Sequence, residues 1–188
     1  NVLPLSEAVR RWHDRTLPAR AAAVTFDDGY ADNRTVALPI LKELGIPATV
    51  FVATGFLNGG RMFNDTVIEA VRNLSTGHVE LDRLGIEGVQ GKYKIAGDVD
   101  RASLIARLLP HFKYAEPGRR EEMLANVLEL AQTDLPDDLM MTDEQVCDLR
   151  DGGMEIGAHT VTHPILANLA EDRAADELRE SKNRLETI

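Results

Sequence analysis

Four ionisable side chains set the terms of this sequence: the carboxyls of Asp27 and Asp28 and the imidazoles of His159 and His163. The first pair lies in Thr25-Phe26-Asp27-Asp28-Gly29, the second in His159-Thr160-Val161-Thr162-His163. Each segment follows an apolar or β-branched run that reads as a buried strand, so each falls where an α/β protein turns from strand to loop. Two carboxylates and two imidazoles suffice for three zinc ligands and a base, the equipment of a metallohydrolase. Neighbouring residues of a regular strand point to opposite faces, so Asp27 and Asp28 can serve one site only if the chain turns there, and Gly29 permits the turn. Asp-Gly is also ordinary turn chemistry. A phosphotransfer site needing carboxylates two apart fits poorly, because Gly29 holds the third position. The i, i+4 spacing of the histidines suits one helix face or a strand end followed by a turn, and Pro164 favours the turn. Two such nitrogens and one carboxylate oxygen fit a tetrahedral zinc with water in the fourth position. Thr160 and Thr162 read equally as groups that orient the ligands and as plain loop hydroxyls. His13, His78 and His111 stand in charged or loop contexts and read as solvent-facing, and Cys147 as a small buried apolar residue.

The elements that must position these groups alternate strand and helix at both ends of the chain. Pro4 to Trp12 reads as a helix, Ala21 to Phe26 as a strand, and a helix capped by Asp32 or Asn33 runs to Leu44 and stops at Gly45, with Pro39 blurring its start. Ala48 to Ala53 is a second strand. Thr142 with Gln145 forms a capping box for a helix to about residue 150, Met154 to Ala158 is a third strand, and Ala170 to Leu185 a charged amphipathic helix. This rhythm implies a parallel sheet or barrel with helices outside. The middle departs from it. Asn64 to Asn73, Ala102 to Phe112 and Pro117 to Gln132 carry helical spacing, and Val79 to Ile95, broken by glycines, reads as a loose hairpin. Two helices packed as an inserted subdomain, a lid over a substrate groove and a dimer interface all fit that stretch.

Composition bounds the rest. The 188 residues fit one domain able to bury a core without disulfides, and 44% apolar with 28% charged residues is ordinary for a globular protein. A single cysteine excludes an internal disulfide and a cysteine-based zinc cluster. The net charge of −10 argues against nucleic acid and anionic surfaces as partners. No stretch of these residues reads as a signal peptide, and no apolar run nears 18 residues, so no membrane-spanning segment is expected among them.

The ordered pair of motifs resembles that of the polysaccharide deacetylases, carbohydrate esterase family four or the NodB-homology domain. Thr25 to Gly29 matches the family's first motif residue for residue, and His159, Thr160 and His163 match its His-Ser/Thr-x-x-His motif. Gly45-Ile46-Pro47-Ala48-Thr49 and Gly152-Gly153-Met154-Glu155-Ile156-Gly157 are similar to the flanking segments of the family. The resemblance implies Asp27 as general base and Asp28, His159 and His163 as ligands of a divalent metal, zinc foremost. It implies an α/β fold, part of a distorted (β/α) barrel with a mainly helical insertion. Residues 1–58 would supply the first strands and the Asp-Asp motif, 59–136 the insertion and 137–188 the continuation with the His motif, all one domain incomplete at its C-terminus.

The implied function is a metal-dependent hydrolase that removes N-acetyl groups from an N-acetylglucosamine-type polysaccharide. An O-acetyl carbohydrate esterase and a non-catalytic carbohydrate- or metal-binding fragment are the alternatives. The chain departs from the family pattern in two ways. Its two motifs lie further apart than usual, and the later motifs, including the Leu-x-His that supplies a general acid, have no counterpart before Ile188. The expected partner is an acetylated polysaccharide, the expected location exported or at the cell envelope, and an exposed sheet edge would favour a homo-oligomer.

Overall fold

The strand Ala48–Val52 is the element around which the site-bearing part of the chain is built. Its β-branched and small residues suit a strand covered on both faces, and Ala48, Val50 and Val52 are at most 1% exposed. In the computed structural model, which describes residues 1–188 with the exception of the Pro117 side chain, this strand is β2. It is flanked by β1 (Val24–Phe26) and β5 (Glu155–Ala158) in a three-stranded sheet of order β1-β2-β5. Both pairings are parallel, with Val24 opposite Ala48, Phe26 opposite Val50, Thr49 opposite Glu155 and Val52 opposite Ala158. Parallel register sends the C-terminal ends of all three strands to one side of the sheet. The loops that follow Phe26, Val52 and Ala158 therefore meet there, as in other open α/β sheets.

The helices around the sheet follow their sequence signals with one instructive difference. The helix α1 spans Leu5–His13, α2 Leu38–Leu44, α6 Asp143–Asp151 and α7 Glu171–Glu186. The Thr142–Gln145 capping box forms in both directions, at 3.0 and 3.3 Å. Gly45, at φ +63°, ends α2 in the left-handed conformation that glycine adopts without strain. Neither Asp32 nor Asn33 caps a helix here. Asp32 instead accepts a bond from the Asn33 side-chain amide at 2.9 Å, residues Asn33–Ala37 form a π-type turn, and α2 begins at Leu38 with Pro39 in its first turn, where a missing N–H costs nothing. Leu38 and Leu41 of α2, Val146 and Leu149 of α6, and Val50 and Val52 of β2 share one apolar cluster.

The chain divides into two compact units, Asn1–Gly60 with Asp137–Ile188 and Arg61–Pro136. The second unit holds α3 (Phe63–Asn73), α4 (Asp98–Lys113), α5 (Pro117–Ala131) and an antiparallel hairpin of β3 (Gly77–Glu80) and β4 (Lys92–Ile95). Its core gathers Leu81, Leu84, Ile95, Leu104, Leu108 and Phe112, none more than 1% exposed. Each unit thus has its own apolar cluster. Among the described residues, no helix is long and apolar enough to cross a membrane.

Candidate metal centre

At the C-terminal edge of the sheet the loop after β1 and the loop after β5 approach each other across the end of β2. The central strand carries none of the four ionisable groups, yet it pins both loops. The Val52 carbonyl accepts the His159 N–H at 2.9 Å, and the Ala53 N–H donates to the Asp28 carbonyl at 3.1 Å. Asp28 itself stands at φ +75° and Gly29 at φ +89°, so the chain turns sharply once it leaves β1. A Cβ at Gly29 would lie 3.0 Å from Val52 Cγ1, which leaves glycine as the residue that fits both the space and the dihedral.

The turn has a chemical consequence. Asp28 Oδ1 lies 3.4 Å from His159 Nε2 and 3.3 Å from His163 Nε2. The two imidazole rings are 4.9 Å apart between centroids. One donor atom from each of Asp28, His159 and His163 falls within 4.8 Å of the others. Donors held about 2.0–2.1 Å from a tetrahedral ion are about 3.3–3.4 Å apart, so both carboxylate–imidazole distances suit a small divalent cation. With side chains between 24% and 39% exposed, the three groups are shielded on the protein side and open on the other, as a site that keeps a position for water requires. Asp27 is exposed beside this cluster and is not part of it.

The loop from His159 to His163 is held in an unusual shape. Thr160 at φ +67° and His163 at φ +52° both lie in the left-handed region, where a side chain is strained. Thr160 is 6% exposed, and its hydroxyl accepts the His163 N–H at 3.1 Å while pointing to the His159 carbonyl. It therefore orients the second imidazole through the backbone. Thr162 is exposed and its hydroxyl donates to Glu177 of α7. His13, His78 and His111 are exposed and none is a member of this cluster, and Cys147 is half-buried with its thiol donating to the Ile188 carbonyl at 3.4 Å. Two contributors escape a reading of the sequence. Gly55 lets its N–H reach the Val161 carbonyl at 2.9 Å, and Glu177 takes three bonds from the His loop. Gly55 stands in an unremarkable Thr-Gly-Phe stretch, and Glu177 in a helix whose many charges look solvated.

Comparison with known proteins decides the family. The profile described as polysaccharide deacetylase matches residues 14–83 and 121–188, which include both ionisable motifs. The chain belongs to the polysaccharide deacetylase family. The profile leaves 1–13 of this deacetylase-family chain unmatched, and also an internal stretch, 84–120, that falls within the unit Arg61–Pro136. YxkH of Bacillus subtilis (strain 168), provisionally assigned as a polysaccharide deacetylase, is 37% identical over 49 residues, 26% of this chain and 18% of that protein. The solved Streptococcus pyogenes deacetylase PplD in complex with acetate matches all of this chain and 50% of its own, at 20% identity and a TM-score of 0.53. The deacetylase domain of BpsB from Bordetella bronchiseptica matches all of this chain and 58% of its own, at 17% identity and a TM-score of 0.48. The chain thus spans about half the length of the solved structures it resembles, and it shares with PplD a mixed α/β fold with a parallel sheet.

Proposed function

We propose that this chain carries the metal centre and base of a hydrolase that removes N-acetyl groups from an N-acetylglucosamine-type polysaccharide. The observation that carries the reading is the convergence of Asp28, His159 and His163, with exposed Asp27 next in sequence, at the C-terminal ends of a parallel sheet. Family membership supports the reaction class. The sheet is read as the first part of a distorted (β/α) barrel, with 1–58 and 137–188 as its frame and 59–136 as a mainly helical insertion.

Asp28 Oδ1 and the two Nε2 atoms would hold a divalent cation, and a donor set of two imidazoles and one carboxylate suits zinc. When bound, such an ion acts as a Lewis acid that lowers the pKa of water towards about 7. Asp27, next in sequence to Asp28, would accept a proton from the attacking water as the water's oxygen adds to the acetyl carbonyl carbon. The carbon–nitrogen bond then breaks, and Asp27 returns the proton to the departing sugar amine, giving acetate and a free amine. A surface with net charge −10 suits a polymer that gains cationic amines as product forms. Such polymers lie outside the cytoplasm, which makes export or the cell envelope the proposed location.

Acetate release from soluble N-acetylglucosamine oligomers tests this reading. Asp27→Asn should keep its metal and lose at least about 100-fold in turnover, the usual scale of a lost general base. Full turnover by Asp27→Asn would overturn the assignment of the base. Acetate from O-acetylated oligomers alone would make the chain an esterase instead.

A further inference from the structure

The His159–His163 loop needs an external hold, because two of its five residues sit at positive φ, where a side chain is strained. On one side the hold is backbone: Thr54 N–H donates to the Thr160 carbonyl at 3.1 Å and Gly55 N–H to the Val161 carbonyl at 2.9 Å. On the other it is a single carboxylate. Glu177 Oε2 accepts the Val161 N–H at 2.7 Å and the Thr162 N–H at 2.9 Å, and Oε1 accepts the Thr162 hydroxyl at 2.6 Å. Glu177 is half-buried, and Ser181, one turn further along α7, is fully buried, so the helix is seated where this carboxylate projects. Burial pushes the Glu177 carboxyl up, but the Thr162 hydroxyl, the two backbone donors and nearby Arg173 outweigh it, and the net direction is down. An ionised acceptor bonded to three donors of one short loop is a strong clamp.

We propose that Glu177 is a positioning residue for the metal centre: its carboxylate fixes the His159–His163 loop and so the placement of both imidazole nitrogens opposite Asp28. Glu177 is not in the donor cluster itself. The proposal rests on the reading of Asp28, His159 and His163 as metal ligands. Hydrogen bonds that orient ligands in this way are worth ten- to a hundredfold in metal affinity.

The test titrates cobalt(II), whose absorption bands report ligand geometry, and zinc by competition, into the full chain and its variants. Glu177→Ala should weaken zinc binding ten- to a hundredfold and shift the cobalt bands. Glu177→Gln keeps a carbonyl for the two N–H groups and an amide that Thr162 can accept, so it should stay within about threefold of the parent. Amide exchange at Val161 and Thr162 in the metal-free chain should quicken in Glu177→Ala and not in Glu177→Gln. If Glu177→Ala does not fold, Thr162→Val, which removes one of the three bonds, should give a smaller loss in the same direction. Faster exchange with unchanged affinity and bands would make Glu177 a residue that merely holds the fold, and would overturn the proposal. Zinc affinity unaffected by His163→Ala would instead contradict the metal centre itself.

Discussion

Asp28, Thr160 and His163 all adopt the left-handed backbone conformation that side chains avoid, and all three belong to the candidate centre. Strain of this kind persists where surrounding contacts over-determine the chain, and here those contacts are the end of β2, Gly55 and Glu177. Gly55 offers the sharpest check. A Cβ there would stand 2.6 Å from the Val161 carbonyl oxygen, inside any tolerable contact with backbone. Gly55→Ala should therefore displace the His loop, cost about 1–3 kcal/mol in urea unfolding and weaken zinc binding together. Unchanged stability and affinity would mean that the loop is free to move away. The four ionisable groups stood out in the sequence by type and spacing, and the structure brings three of them, Asp28, His159 and His163, together. Gly55 and Glu177 did not stand out there, since a backbone approach and a clamp from 15 residues away leave no periodic mark.

Among the elements, β2 has the largest role and the least conspicuous sequence. Its C-terminal end pins both ligand loops, and its other end is tied to the first helix through Glu155 of β5. That carboxylate accepts the Ser6 hydroxyl, the Ser6 N–H at 3.2 Å and the Thr49 hydroxyl at 2.7 Å, and so meets the positive N-terminus of α1. Burial raises the Glu155 carboxyl, yet the bonds from Ser6 and Thr49 and from the Leu5 and Ser6 N–H groups bring it below its ordinary value of 4.5. A carboxyl lowered by folding stabilises the folded chain above that ordinary value and ceases to as pH falls through the lower folded one. Urea midpoints should thus hold steady from neutral pH to about 5 and fall below about 4.5. Glu155→Gln should cost about 1–2 kcal/mol at neutral pH and make the acid decline shallower. An identical decline in that variant would remove Glu155 from the account. Strand and helix identities were readable from periodicity, down to the Thr142 capping box. The start of α2 was not, because Pro39 sets it and the expected cap, Asp32, bonds Asn33 instead.

At the scale of the whole molecule, Asp28 and His159 come from segments on either side of the unit Arg61–Pro136, and both lie in the other unit. The donor cluster therefore exists only when the two ends of the chain have folded onto one sheet. Metal stoichiometry consequently reports on fold and site together. The change of rhythm near residue 59 was visible in the sequence. An inserted subdomain of packed helices was among the readings of that stretch, but helical spacing alone does not say what the apolar faces pack against, so it did not separate that reading from a lid or a dimer interface. The measurement that bears most directly on the central claim is the metal content of the purified chain beside His163→Ala, by elemental mass spectrometry after zinc is added and excess removed. About one zinc per chain in the parent and almost none in the variant is the predicted result. Parent chain without zinc, or a variant that retains it, would contradict the assignment of Asp28, His159 and His163 as a metal centre.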